Sequence, residues 1–239
     1  MKLTYRKYTV TRVENCTHDT KHVVLEPVYS THLVVPPGKH IHIRGEREEL
    51  ELVRSYTPVI PLNSGTDSED SELHFLIKIY MDGAFTPLID DLKIGDELEL
   101  SDYTGDFNIN KLKEFSQIYL IAAGTGITPI ARILPLLSGV KTTLIYFNKT
   151  IKDVIWGKEL SLFSESNSWF KIHNVFSQQS EESQLSGRIS KQVLEKFIYS
   201  GRENAFSCVC GPIPFNQEAE RLLSQDFGFS SSSIHIFQG

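Results

Sequence analysis

Cysteine is scarce in this chain. Cys16, Cys208 and Cys210 are the three among 239 residues. Three thiols do not make a disulfide framework, so the chain reads as one from a reducing compartment. An excess of positive charge is missing too. Lysine and arginine number 24 against 30 acidic residues, giving a formal charge of −6 and a pI of about 5.8. That balance argues against a general nucleic-acid binder, which carries a basic footprint. Long apolar runs are also absent. No stretch approaches the roughly 20 apolar residues that a membrane helix needs. The opening MKLTYRKYTVTRVENC has no continuous apolar core and does not read as a secretory signal. No internal repeat is visible. The one biased stretch, SQQSEESQLSG from Ser177 to Gly187, reads as a polar loop. The expectation is a soluble chain with no membrane segment.

What is present is enough apolar material for a sizeable core, at 40% of residues. At roughly 100–200 residues per domain the length suggests one or two domains. The first half reads as strands: His22–Val28, His40–Gly45, Leu50–Ile60, Glu72–Met81 and Asp96–Tyr103. These segments are short, rich in β-formers and partly alternating, and PPGK, NSGTDSEDS, KIGD and YTGDF punctuate them. Many short strands at such spacing predict an antiparallel barrel. One short helix at Thr86–Leu92 interrupts it, with Pro87 in its first turn and Thr86 as its cap.

Near Leu112 the pattern changes. QIYLIAA (Gln117–Ala123) is an almost continuous apolar strand of the kind a parallel sheet buries on both faces. TTLIYF (Thr142–Phe147), FKIHNVF (Phe170–Phe176) and AFSCVC (Ala205–Cys210) follow as strands, each alternating with a helical segment. Ser190 and Asn216 stand at helix starts. Alternation of strand and helix predicts a doubly wound α/β domain. The expected organisation is therefore a barrel over residues 1–112 and an α/β domain over 113–239.

Three stretches carry candidate chemistry. In AAGTGITPI the strand runs into Gly124-Thr125-Gly126-Ile127-Thr128-Pro129 and then a helix. The glycines let backbone approach a ligand and a helix N-terminus favours a diphosphate, although a tight strand-to-helix turn explains the same residues. In RSYTPV, Arg54 can fork onto a phosphate, Tyr56 can stack on a planar ring and Thr57 can hydrogen-bond it. An Arg–Tyr pair on a strand is equally a solvated face. Gly83 before a helix start at Thr86 is a further anion site or an ordinary capped helix.

Two residue pairs weigh differently. His40 and His42 share one side of a strand, with no further metal ligand evident in sequence, and read as surface or core histidines. Cys208 and Cys210 also share a strand face, but no third and fourth ligand accompanies them. A bridge between them is disfavoured, since residues two apart on a strand stand about 6.5–7 Å apart. Cys16 reads as a buried small hydrophobe.

Taken in order, RSYTPV, the IKIY strand, LKIGDELEL, AAGTGITP, FNKTIKDVIW and CVCGPIPF resemble the NADH–cytochrome b5 reductases of the ferredoxin reductase-like superfamily. The resemblance spans essentially the whole chain. IKIYMDGAFTP, FNKT with DVIW, and the ending IHIFQG are most similar to the reductase part of fused cytochrome b5/reductase proteins. It implies an FAD-binding antiparallel β-barrel followed by a doubly wound parallel-sheet NAD(P)-binding domain. By resemblance Arg54 binds the FAD diphosphate, Tyr56 and Thr57 line the isoalloxazine, and Ile77, Lys78, Ile79 and Tyr80 lie beside it. Gly83, Ala84, Phe85 and Thr86 take the family's Gly-Lys-Met-Ser position, where backbone amides serve the diphosphate. Ser55 replaces a frequent proline. Gly124, Thr125, Gly126 and Pro129 form the nucleotide's diphosphate turn, and Thr128 touches both flavin and nicotinamide. Phe147 and Asn148 end the second strand of that sheet, and Cys210, Gly211, Pro212 and Phe215 wall the nicotinamide pocket. Thr57, Thr128 and Cys210 are the residues placed at the reacting atoms. The family's terminal aromatic corresponds to Phe237, here followed by Gln238 and Gly239.

The implied activity is hydride transfer from NAD(P)H to FAD, then single-electron transfer to cytochrome b5 haem. The alternatives are reduction of a ferredoxin or oxygenase component, or a scaffold of this fold without catalysis. None of the eight histidines sits in the His-Pro-Gly-Gly setting of a cytochrome b5, so the haem partner is separate or lies upstream in a fused protein. Glu181 and Glu182, with no cation before Arg188, lean toward NADH over NADPH. Lys39, Arg44, Arg47 and Lys78 are a candidate docking face for an acidic haem protein. The implied location is the cytoplasm or the cytoplasmic face of the endoplasmic reticulum.

Overall fold

A computed structural model describes residues 3–29, 33–47, 49–62, 72–178, 185–198 and 204–238. The chain forms two compact units, Met1–Asp106 and Phe107–Gly239.

The first unit is a six-stranded sheet of β1 (Tyr5–Asn15), β2 (Thr20–Pro27), β3 (Ile41–Arg47), β4 (Leu50–Tyr56), β5 (Leu73–Lys78) and β6 (Glu97–Ser101). Their order is β4-β3-β6-β1-β2-β5, and every pairing is antiparallel. Alternation sets the faces. Ile41 and Ile43 of β3, Phe75 and Ile77 of β5, and Leu98 and Leu100 of β6 point into one core. His42 and Arg44 stand on the opposite side of β3 from Ile41 and Ile43. Each fully buried aliphatic or aromatic side chain contributes about 1.5–3 kcal/mol. The sheet curls, and past β4 the amide of Val59 donates to the carbonyl of His74 at 2.8 Å. This isolated bridge ties the segment past β4 to β5.

Strand β1 is absent from the sequence-based reading, although it lies between β6 and β2. Its charged residues obscure the pattern: Arg6, Lys7, Arg12 and Glu14 interrupt YRKYTVTRVEN, while Tyr8 and Val10 carry the burial. A register shift between Val10 and Arg12 further breaks the alternation.

Helix α1 (Thr86–Asp90) has Pro87 in its first turn and buries Ile89. The expected cap is different from the observed one. Phe85 holds the N-cap position and no side chain caps the helix, because the Thr86 hydroxyl is bound to the backbone of Tyr80 instead.

The second unit carries β7 (Gln117–Ala123), β8 (Lys141–Asn148), β9 (Phe170–Phe176), β10 (Ala205–Cys210) and β11 (Ile234–Phe237). All pair in parallel, in the order β11-β10-β7-β8-β9. Three strands coincide with their sequence-based bounds, since a strand buried on both faces reads as an uninterrupted apolar run. The helices are α2 (Ile127–Ile133), α3 (Gly157–Ser166), α4 (Lys191–Leu194) and α5 (Ile213–Arg221). Tyr119, Ile121, Ile145 and Val209 pack with Val193 and Leu194 of α4 and Ala219 of α5. Their strand neighbours Leu120, Leu144 and Cys208, equally buried, belong to the other face. Helix α2 packs on β7 and β10 from outside the α4–α5 cluster. The sheet is thus covered on both sides, as a doubly wound fold requires.

Two helix starts test the capping argument. Ser190 does cap α4, its hydroxyl accepting from the Val193 amide at 3.4 Å. Asn216 does not cap α5, which begins three residues earlier behind Pro212. The Asn216 side chain donates instead to the Phe237 carbonyl at 3.2 Å. That bond ties α5 to β11, a strand the sequence-based reading does not contain.

Candidate functional site

In the first unit the candidate residues gather at the ends of β4 and β5. Arg54 is exposed, and its guanidinium donates to the Val53 carbonyl at 2.7 Å. Among the described residues no carboxylate pairs with it. Tyr56 lies two residues on, half-buried, its ring 5.9 Å from that of Phe85. Burial pushes its phenol up to about 12, so it stays a neutral donor. Thr57 is half-buried at the strand end.

On β5, Ile77 faces the core while Lys78 faces away. The Lys78 ammonium sits 2.5 Å from the Asp19 carboxylate. Burial opposes ionisation of Asp19, but the hydrogen bond and charge of Lys78 outweigh it and hold that carboxyl below its ordinary range. The adjoining Ile79 amide donates to the Asp19 carbonyl at 2.7 Å. The turn between β2 and its neighbour therefore anchors Lys78 and Ile79 together.

The segment after β5 closes on itself. The Tyr80 amide donates to the Thr86 hydroxyl, and that hydroxyl donates to the Tyr80 carbonyl, each at 2.9 Å. The Gly83 amide reaches the same carbonyl at 2.9 Å. A Cβ on Gly83 would stand 2.7 Å from the Thr86 hydroxyl oxygen, so only glycine fits inside the loop. Among the described residues, no carbonyl accepts from the Ala84 and Phe85 amides. These features fit FAD: an arginine with no carboxylate partner among the described residues, a neutral half-buried phenol, and a glycine-dependent loop whose amides face no described carbonyl.

In the second unit the candidates lie at the carboxyl ends of the strands. A 3₁₀ turn over Gly124–Gly126 leads from β7 into α2. Gly124 has φ +53, and a Cβ there would meet nothing within 4 Å. The turn is held from two sides. The Tyr146 hydroxyl donates to the Gly124 carbonyl at 3.0 Å, and the Thr128 hydroxyl donates to the Thr125 carbonyl at 3.1 Å. Pro129 is buried in the first turn of α2, where a missing N–H is harmless. At the end of β10 a Cβ on Gly126 would overlap the Cys210 carbonyl, and one on Gly211 would stand 2.6 Å from the Phe215 ring. Phe215 meets Phe147 edge-on at 5.3 Å. Asn148 ends β8, and Pro212 is exposed ahead of α5.

Both thiols of the AFSCVC strand are buried. Burial pushes Cys210 up to about 12 and Cys208 higher still. Neither is a thiolate at neutral pH, so neither attacks nor binds a metal as such. Phe237 packs with Phe107 and His235 at ring separations of 4.9 and 4.6 Å. Of two contributors, Tyr146 escapes the sequence-based reading and Asn216 figures in it only as a helix start. A tyrosine within the aliphatic run TTLIYF was the available signal for the first, because a buried phenol needs a partner.

The histidine pair at the start of β3, His40 just before it and His42 within it, serves the barrel. His40 shares a hydrogen bond with the Thr104 hydroxyl at 2.8 Å, and His42 with Ser55 at 3.0 Å. The expected cationic docking face is not a free one. Arg44 is paired with Glu99 and Glu51, Lys78 with Asp19, and Lys39 donates to the Gly105 carbonyl. Glu181 and Glu182 lie outside the described residues.

Comparison with known proteins follows this division. Residues 7–109 match the model of the oxidoreductase FAD-binding domain, and residues 120–221 that of the oxidoreductase NAD-binding domain. The chain is 39% identical to mouse cytochrome b5 reductase 4 over 98% of its own length and 47% of the relative's. It is 30% identical to Dictyostelium discoideum NADH-cytochrome b5 reductase 1, over 86% of this chain and 71% of that one. The structure of the CS-b5R domains of human Ncb5or in its NAD+ form superposes with a TM-score of 0.92 at 36% identity, covering 100% of this chain and 70% of that one. The chain spans about half the length of the cytochrome b5 reductase 4 proteins it matches.

Proposed function

Since this chain belongs to the cytochrome b5 reductase family of FAD- and NAD-binding oxidoreductases, we propose that it takes a hydride from NAD(P)H onto FAD and passes single electrons to a cytochrome b5 haem. Residues 1–112 are the FAD-binding part and 113–239 the NAD(P)H-binding part of this reading. Bound FAD supplies the chemistry, accepting two electrons together and releasing them singly.

The side chains do the holding. Arg54 neutralises the cofactor diphosphate, and the Ala84 and Phe85 amides donate to it. The Thr86 hydroxyl keeps those amides in place through Tyr80. Tyr56 and Thr57 border the ring system, with the Tyr56 phenol remaining protonated. Gly124 and Gly126 bring backbone close to the nucleotide diphosphate, and Thr128 orients the turn. Cys210, Gly211, Pro212 and Phe215 shape the wall beside the nicotinamide. The Cys210 thiol acts by volume, since burial keeps it neutral.

What most supports this reading is the glycine turn at the carboxyl ends of a parallel sheet, where open α/β folds bind their ligands. NADH is the proposed reductant and a cytochrome b5, free or fused, the proposed acceptor. No helix among the described residues is long and apolar enough to cross a membrane. The test is optical. Purified protein should be yellow, bleach within seconds of NADH addition, and regain colour when cytochrome b5 is supplied. A colourless protein that takes up no FAD would defeat the reading.

A further inference from the structure

We propose that Asn148 binds a ribose hydroxyl flanking the diphosphate of the nicotinamide nucleotide, an inference that rests on the nucleotide-binding reading above. Asn148 is 7% exposed, and among the described residues neither its amide nitrogen nor its amide oxygen has a hydrogen-bond partner. Buried polar groups are nearly always satisfied, so two orphaned atoms on one side chain ask for a partner from outside.

Its place indicates which partner. Asn148 is the last residue of β8, and the preceding pair in register is Ala123 with Phe147, so Asn148 stands level with Gly124. It shares its strand face with Tyr146, two residues back, and the Tyr146 hydroxyl reaches the Gly124 carbonyl at 3.0 Å. The orphaned amide therefore belongs to the glycine-turn side of the sheet. The terminal torsion of asparagine is soft, so rotation about it exchanges the positions of the amide oxygen and nitrogen. A phosphate can only accept, and would leave the amide oxygen facing negative charge. A ribose hydroxyl both donates and accepts, which matches both orphaned atoms. Ribose is also the group covalently next to a diphosphate held at the turn.

An unpaired buried amide is destabilising in the unliganded fold. A residue kept for binding should thus show opposite effects on stability and affinity. Two variants of the FAD-loaded protein test this: Asn148→Leu, and as control Ser207→Ala, which removes a buried mid-strand hydroxyl that likewise has no partner among the described residues. ADP-ribose, which carries the diphosphate and both riboses without nicotinamide, is titrated by calorimetry. Asn148→Leu should raise the melting temperature by about 2–4 °C and weaken ADP-ribose at least tenfold. Ser207→Ala should leave ADP-ribose binding unchanged within twofold. ADP-ribose affinity unaltered in Asn148→Leu overturns the proposal, including the case where only the KM for NADH rises, which would move the contact to the carboxamide. A wild-type protein that binds neither ADP-ribose nor NADH instead overturns the nucleotide-binding reading beneath it.

Discussion

Gly126 lies against the carbonyl of Cys210, so close that a Cβ at position 126 would overlap both atoms of that carbonyl. The strand-to-helix turn after β7 and the end of β10 are thereby fitted to each other through backbone alone. Two motifs far apart in the chain, GTGITP and CVCGP, meet at this contact.

Gly126→Ala should therefore be costly. The opposing atoms are backbone at the end of a buried strand, which cannot swing aside as a flexible side chain does. Overpacking of this kind costs about 1–3 kcal/mol and occasionally more. Urea denaturation should show that loss, with NADH-dependent flavin reduction slowed in the surviving protein. A stability within 0.5 kcal/mol of wild type, about the scatter of a surface change, would show that the turn relaxes freely.

Thr86 should act as a positioning residue for the FAD loop. Thr86→Ala removes both bonds to Tyr80, and a net hydrogen bond is worth roughly 1 kcal/mol. FAD dissociation constants should rise about fivefold or more, as 1.4 kcal/mol corresponds to tenfold. Thr86→Ser keeps the hydroxyl and should restore binding. A serine variant as weak as the alanine one would shift the role to the threonine methyl.

The two strand cysteines should separate by function. Cys210→Ser should slow flavin reduction by NADH without releasing FAD. Cys208→Ser should leave reduction alone and lower stability by about 1–3 kcal/mol, since its hydroxyl would be buried among apolar side chains at a site with 0% exposure. In the native protein neither thiol should react with Ellman's reagent at pH 8, given their raised pKa values. Rapid modification of either in the folded state would contradict the burial argument.

Acid should weaken the fold from the histidines. Burial lowers the pKa of His40, helped by His42 and Lys39, and that of His173, helped by Lys171. Both are held neutral in the fold, while the unfolded chain titrates near 6.5. Below about that pH the unfolded chain takes up protons first, so stability is full above it and declines as pH falls toward the folded values. Thermal melts at pH 7.5 and 5.5 should show the decline. His173→Leu, which retains an apolar contact for Phe197, should show a smaller one. Identical declines in the two proteins would exclude His173 as a contributor.

Legibility followed the physics of each element. Strands β7, β9 and β10 were readable to their bounds, because burial on both faces demands an uninterrupted apolar run. Strand β1 was not, because one face is solvated and its four charged residues and a register shift hide the alternation. Strand β11 was too short, at four residues, to show a period. Ser190 was legible as a cap from local sequence, whereas Thr86 and Asn216 were not caps at all. Their polar atoms went to Tyr80 and Phe237, six and twenty-one residues away.

By itself, then, the sequence determined the fold class, which is written in local periodicity, and the order of the motifs, whose resemblance to a known family implied the cofactors. Tertiary structure alone decided that Gly126 closes on Cys210, that Lys78 answers to Asp19, and that the buried Asn148 amide has no partner among the described residues. Each of those is a contact, or a missing one, between groups distant along the chain. Packing and hydrogen-bond competition settle such contacts only when all the strands are in place.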